Sequence, residues 1–328
     1  MALYAGFDEA GYGSLLGPMT VGFSAWIVPE EGAIDAPPNL WRSLSNAVCK
    51  KPGDRRGRLA IADSKQLKGR GGVDLHEAAM LERGVLASLE CAGRLDLAGP
   101  LTDRCVMEAL EAGPLPTHAP WTGDALDAPI GCDRTDAHLA ARSLSRALSA
   151  HGSRLLAIGA CAIEVDDLNR QFARGVSKPS IPFSISLERA RELAHASGEQ
   201  IGWLAFDRQS GRMRYRDDLQ HAFPGSRIAI LSETEQESRY RIVMGAGTFS
   251  VSFTVGAEST HLPIALASMA AKYLRELRME RFNRYFRRLA PELAPTAGYV
   301  EDGRRFLEQA APMMAAAGIE PTCLVRSK

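Results

Sequence analysis

Apolar and polar positions alternate between short runs and helical stripes along this chain. An apolar run from Leu3 to Phe7 breaks at Asp8 and Glu9, passes through glycines, and resumes from Met19 to Val28. Runs of that length bounded by turn residues predict two β-strands. A loop rich in proline and polar residues (Pro29 to Asn39) then leads to a short helical stretch at Trp41 to Val48. Leu75, Ala78, Ala79, Leu81, Val85, Leu86 and Leu89 recur at helical spacing and predict an amphipathic helix over Asp74 to Cys91. From Gly93 to Thr135 the pattern degrades and prolines accumulate, with a short helix at Asp103 to Glu111. Thr135 to His151 predicts a helix, and Arg154 to Glu164 an apolar strand long enough to be central in a sheet. Helices at Val165 to Arg174 and Ser186 to Ser197 flank a loop, Lys178 to Pro182. Strands follow at Ile201 to Phe206 and Arg227 to Leu231, then a hairpin of Ser238 to Met244 and Thr248 to Val255. A long helix extends from beyond Thr260 towards Leu289, with Leu262, Leu266, Met269, Tyr273 and Leu277 inward. A last helix, Gly303 to Gly318, and a short strand, Thr322 to Val325, complete the pattern, which shows no internal repeat.

Composition narrows the class. The 328 residues are 45% hydrophobic and 24% charged, values of a globular protein with a sizeable core. No apolar run reaches membrane-spanning length. The start lacks a basic segment and meets acids at Asp8 and Glu9, so no secretory signal is expected. Six cysteines are scattered with no Cys-x-x-Cys pair, which argues against zinc and for reduced thiols in a cytoplasm. Net charge is zero, so a nucleic-acid partner must be read from local patches. Nothing indicates a membrane partner or an obligate protein partner.

One patch stands out. Lys50, Lys51, Arg55, Arg56, Arg58, Lys65, Lys68 and Arg70 face only Asp54 and Asp63. Such a tract is either a solvated loop or a phosphate-contacting surface. Within it, Ala62-Asp63-Ser64-Lys65-Gln66-Leu67 has a helix-start pattern, and a helix N-terminus beside a lysine suits a phosphate. Lys272, Arg275, Arg278, Arg281, Arg284, Arg287 and Arg288 recur mostly every third residue along the long helix, a second basic face.

The chemistry lies in acids at strand ends. Asp8 and Glu9 follow the first strand, Asp207 ends another, and Glu258 sits at a strand-to-helix junction. Neighbouring residues on a regular strand point to opposite faces, so Asp8 and Glu9 can share a site only where the backbone turns, which Gly11 and Gly13 permit. Gathered carboxylates repel one another and need a counter-charge. Mg2+ or Mn2+, hard cations that prefer oxygen, fit this set, and two ions ~3.5–4 Å apart suit phosphodiester hydrolysis. His261 is the neighbouring histidine, read as a supporting or helix-start residue. Each acid alone is an ordinary surface carboxylate, and only their proximity would make a site.

Three ordered blocks carry a family resemblance. Gly6-Phe7-Asp8-Glu9-Ala10-Gly11-Tyr12-Gly13 with Gly17-Pro18, then Asp63-Ser64-Lys65, resembles the opening of the type 2 ribonucleases H, the HII and HIII enzymes. Ala257-Glu258-Ser259-Thr260-His261-Leu262-Pro263-Ile264-Ala265 with Ala267-Ser268-Met269-Ala270-Ala271-Lys272 resembles the ribonuclease HIII form of the later motif, whose fourth acid is glutamate. The resemblance implies an α/β fold, an RNase H-like mixed sheet flanked by helices. One catalytic domain over 1–328 would carry a family-atypical insertion at 93–135 and a C-terminal helical extension at 290–328. The implied activity is metal-dependent cleavage of the RNA strand of an RNA–DNA hybrid, leaving a 3′-hydroxyl. Asp8, Glu9, Asp207 and Glu258 carry over as the catalytic, metal-binding set with two divalent ions. Ser64 and Lys65 carry over as phosphate contacts, and Gly11 and Gly13 as the glycines whose backbone nears the ribose 2′-hydroxyls. Gly298-Tyr299 matches a Gly-Tyr whose tyrosine packs at an RNA–DNA junction.

Departures from the family are specific. Tyr12 stands between the glycines, where HII enzymes have arginine and HIII enzymes threonine. The core starts at residue 1, so the N-terminal substrate-binding domain usual in HIII enzymes is expected to be lacking. The basic tract and the arginine-rich helix face are the expected substitutes. Two other readings compete. A dinucleotide-binding loop would have to open a helix, and Pro18 with the strand-like Thr20 to Val28 leaves no room for one. A non-catalytic nucleic-acid binder that kept the fold is the other, since fold does not fix function.

Overall fold

A computed structural model of the chain describes residues 1–30, 34, 36–67, 78–117, 119–209 and 211–327, leaving aside the side chains of Lys65 and Gln66. The long strands form one seven-stranded sheet in the order β5-β2-β1-β6-β9-β8-β7. These are β1 (Ala2–Ala10), β2 (Met19–Val28), β5 (Arg154–Ile163), β6 (Ile201–Asp207), β7 (Arg227–Glu233), β8 (Glu237–Met244) and β9 (Gly247–Thr254). Two short strands, β3 (Val48–Cys49) and β4 (Leu59–Ala60), pair in parallel apart from it. The helices are α1 (Leu40–Ser43), α2 (Ser64–Leu67), α3 (Ala79–Cys91), α4 (Asp103–Ala109), α5 (Arg134–Ala150), α6 (Val165–Ala173), α7 (Ser180–Ala196), α8 (Arg216–Ala222), α9 (Leu262–Leu289) and α10 (Val300–Ala316). Among the described residues no helix is long and apolar enough to cross a membrane. The architecture is the expected mixed α/β sheet flanked by helices.

Topology positions the acids. β1, β6 and β9 run parallel at the centre, while β2, β5, β8 and β7 are antiparallel to their neighbours. Parallel strands finish at one edge, the usual place for a site in such sheets. Phe7 is in register with Phe206, and Phe206 with Phe253. Their rings stack, with centroids 4.7 Å apart between Phe7 and Phe206 and 4.9 Å between Phe206 and Phe253. Tyr215 extends the stack at 3.8 Å from Phe253. This aromatic row lies on the face covered by α7 and α8, through Phe183, Leu187 and Leu219. Side chains alternate, so Asp8 and Asp207, one residue further along, point to the opposite face.

That opposite face belongs to α9, whose buried residues span nearly its whole length. It lies close over β1 because Gly6 has no side chain: a Cβ there would collide with the backbone nitrogen of Ile264. α3 and α5 pack outside it and complete the larger core with Leu81, Val85, Leu144 and Met269.

Several expectations change. β1 continues to Ala10 in register with β2, but its pairing with β6 stops at Phe7, so the strands part at Asp8. The acids lie inside the last residues of the strand rather than beyond it. α7 starts at Ser180 and takes in Pro182, which the first helical turn tolerates because no N–H is needed there. The predicted strand Thr322 to Val325 is a short 3-10 turn at Pro321–Cys323 with one bridge, Leu16 to Val325. The predicted helix at Asp74 to Cys91 is seen from Ala79, its first turn falling outside the described residues.

The 93–135 segment packs into the main core through Leu97, Leu101, Val106, Met107 and Leu110. Two buried carboxylates fasten it. Asp103 pairs with Arg281 at 2.5 Å and accepts from the Leu126 amide at 2.8 Å. Glu82 on α3 accepts from the amides of Ile130, Gly131 and Cys132 and from the Tyr273 hydroxyl. The cationic row of α9 is therefore no surface: Lys272, Arg275, Arg278 and Arg281 are buried, and only Arg287 and Arg288 are exposed. That helix face is removed as a substitute substrate-binding surface.

Candidate active site

Where β1 and β6 part, four carboxylates meet electrostatically. Asp8 is enclosed, and burial first, then Glu9, Asp207 and Glu258, push its carboxyl well above the usual range, against a hydrogen bond from Ser268. Glu9 is pushed up to about 6 by burial and then by Asp207. The Asp8 Oδ1 accepts from the Glu9 amide at 2.9 Å. Asp207 Oδ1 accepts from the Ala257 amide at 2.9 Å, which ties the end of β6 to the turn carrying Glu258. Gly256 enters that turn with φ of 63°.

Ser268 on α9 links the set. Its hydroxyl donates to Glu258 Oε2 at 3.3 Å, lies 3.1 Å from the Ser64 Oγ, and is close enough to lower the Asp8 carboxyl. Ser64, the expected phosphate contact, is thus buried with its hydroxyl on Ser268. The Lys65 side chain, Lys68 and Arg70 lie outside what the structure describes. Lys50, Lys51, Arg55 and Arg56 are exposed on the β3–β4 lobe. Lys50 donates to the Ser259 carbonyl at 2.5 Å and stands 4.0 Å over the Trp41 ring, so this basic lobe is docked beside Glu258. Arg58 is instead paired with Asp54 at 3.0 Å.

The glycine-rich turn forms the rim. Gly11 is buried with φ of 77°, and a Cβ there would meet Arg275 Nε at 2.6 Å. Its glycine is required by the arginine packed beneath, whereas Gly13 is exposed with open space around it. Tyr12 between them is 40% exposed, with the Lys178 ammonium 5.3 Å from its ring. Tyr299 bridges to Ser14, is 43% exposed, and has Arg275 5.3 Å from its ring. Burial pushes its phenol up, but Lys272 and Arg275 outweigh that and leave it below its ordinary value. His261 precedes α9 with Nδ1 2.5 Å from the Tyr4 hydroxyl, and burial lowers its imidazole to about 4. It supports the fold beneath the site.

Among the described residues, no three Asp, Glu, His or Cys side chains already stand at the spacing of a closed metal site. The donor chemistry nonetheless fits a hard divalent cation, since each of the four groups is a carboxylate. Sequence reasoning missed Ser268, Lys50 and Arg275 in these roles. Ser268 had a signal, since it lies ten residues after Glu258, within the same motif.

No protein-family model matches the chain, and no curated protein matches it. Solved structures do. RNase HII of Archaeoglobus fulgidus, in a complex with PCNA, is 14% identical over 99% of this chain and 94% of its own, with a TM-score of 0.44. Bst-RNase HIII in complex with Mn2+ is 16% identical, with 99% and 66% covered and a TM-score of 0.40. Ribonuclease H2 from Pyrococcus horikoshii OT3 is 13% identical, with 98% and 92% covered and a TM-score of 0.42. At these scores the likenesses add nothing to the geometry above.

Proposed function

We propose that this chain is a metal-dependent endoribonuclease of the ribonuclease H type that cuts the RNA strand of RNA–DNA hybrids. The observation that carries the reading is the electrostatic meeting of Asp8, Glu9, Asp207 and Glu258 at the carboxyl edge of the parallel strands. Divalent cations held there, Mg2+ or Mn2+, would activate a water and stabilise the leaving oxygen. The chain's own residues orient the ligands. Ser268 holds Asp8 and Glu258, and the Ala257 amide holds Asp207. The exposed Lys51, Arg55 and Arg56 take phosphates beside Glu258, while Tyr12 and Gly13 face the ribose side of the cut strand.

The test incubates the protein with labelled RNA–DNA hybrid, a duplex with one ribonucleotide, double-stranded RNA and DNA, each with Mg2+ or Mn2+. Metal-dependent cutting of the hybrid to 3′-hydroxyl ends is expected, and its loss in Asp207→Asn. Binding without cutting of any substrate overturns the proposal in favour of a nucleic-acid binder. Equal cutting by the variant removes Asp207 from the mechanism.

A further inference from the structure

The glycine-rich turn is held from below by a residue far away in sequence. Arg326 is buried, and its guanidinium donates from Nη1 to the Gly11 carbonyl at 2.5 Å and from Nε to the Gly17 carbonyl at 2.9 Å. Its own amide donates to the Leu15 carbonyl at 3.0 Å. One residue thus grips both ends and the middle of the turn. The strap that carries it is itself fastened: Asn169 on α6 donates to the Val325 carbonyl at 2.9 Å and accepts from the Ser327 amide at 2.8 Å. Arg275 holds another side of the turn, donating to Ser14 Oγ at 2.8 Å and to the Ala297 carbonyl at 2.7 Å. Above these anchors Tyr12 and Gly13 stand exposed, with open space around Gly13.

Turn carbonyls on a protein surface ordinarily bond water, and a buried guanidinium is costly unless it is matched. Committing a buried arginine to carbonyls at both ends of one short turn restricts that turn to one shape. A planar fork with fixed donor directions can span two carbonyls, which a lysine ammonium on a flexible stem cannot reproduce. We propose that Arg326 is a positioning residue that pre-organises the Gly11–Gly17 turn, so that Tyr12 and Gly13 meet a nucleic-acid duplex beside Asp8 and Glu9 without an ordering cost. The duplex half of this proposal rests on the nuclease reading. The immobilisation half does not.

Arg326→Met and Arg326→Lys test it in two independent measurements. Backbone hydrogen exchange in residues 11–17 is expected to speed up about 10- to 100-fold in Arg326→Met, the cost of losing hydrogen bonds to a charged donor, with peptides from β6 and β9 unchanged. For hybrid cleavage, KM is expected to rise about tenfold while kcat falls by less, because an ordering cost falls on binding. Arg326→Lys keeps the charge on a single donor nitrogen and falls between wild type and Arg326→Met, and it decides the question if Arg326→Met fails to fold. Unchanged exchange in 11–17 overturns the proposal, as does faster exchange with wild-type KM, which would leave Arg326 a merely structural clamp. If the wild type cuts nothing, the nuclease reading fails instead, and exchange together with hybrid Kd judges Arg326.

Discussion

The strongest physical claim made for the site is that its acids repel one another, and Asp207→Asn measures it. Glu9 titrates near 6, against an ordinary value near 4.5, with burial the larger cause and Asp207 the next. That shift corresponds to about 2 kcal/mol, of which Asp207 accounts for the smaller share, and Asp8 is shifted in the same sense. Asparagine preserves the acceptor for the Ala257 amide while removing the charge. In EDTA at pH 7.5 the variant should therefore be more stable than wild type by about 1 kcal/mol, read from denaturation midpoints with unchanged slopes. Millimolar Mg2+ should raise the wild-type midpoint more than that of the variant, while hybrid cleavage falls at least about 100-fold in the variant.

The sign with pH follows from the direction of the shifts. Acids raised in the folded state hold their protons better there, so their contribution to stability is present below pH 4.5 and is lost as pH rises through about 6. His261 acts oppositely. Its depressed value of about 4 means that stability present above pH 6.5 is lost as pH falls, by up to about 3 kcal/mol. The wild-type profile mixes both effects, so the diagnostic is the difference between Asp207→Asn and wild type. That difference should shrink from pH 7.5 to pH 4.5. An Asn variant less stable than wild type in EDTA at pH 7.5, by about 1 kcal/mol or more, would refute the repulsion argument.

Other consequences are as specific. His261→Gln should flatten the acid limb of stability between pH 6.5 and 4, whatever it costs at pH 7.5, and an unaltered limb in midpoint measurements would assign that limb elsewhere. Asp103→Ala strands the buried Arg281 guanidinium and should cost about 3–5 kcal/mol in chemical denaturation, partly recovered by adding Arg281→Met. Arg55→Glu with Arg56→Glu should weaken hybrid binding and lower the log–log salt slope by about 0.9 for each phosphate no longer neutralised, and titrations at several salt concentrations decide this.

The sequence was most legible where a pattern was both local and periodic. The paired strands β1 and β2 and the hairpin of β8 and β9 follow from apolar runs and turn residues, and α9 from its long inward stripe. Asp8, Glu9, Asp207 and Glu258 were legible because strand ends can be read, and parallel pairing of β1, β6 and β9 then puts them at one edge. What misled was charge periodicity on α9. A row of cations reads as a solvated face, yet Arg281 and Arg278 meet Asp103 and Glu164 from segments over a hundred residues away. No local pattern encodes such partners. The same holds for Ser64, whose burial depends on Ser268.

The two halves of the site make opposite demands, and the fold separates them. Mutually repelling carboxylates destabilise whatever backbone holds them, so they require a frame that cannot yield. The row of Phe7, Phe206 and Phe253 supplies it directly behind Asp8 and Asp207, locking three strands in register on the face opposite those two acids. The rim faces a different problem, since only Leu16 of the Gly11 to Gly17 turn is buried in an apolar cluster, with Met279, Phe282 and Phe306, and glycine loses the most freedom on ordering. There the buried guanidinium groups of Arg275 and Arg326 add directed bonds to Ser14, Gly11 and Gly17. Tyr12 is a large, exposed side chain of that rim held by neither device, which makes it the residue best placed to change what the site accepts without disturbing what holds it.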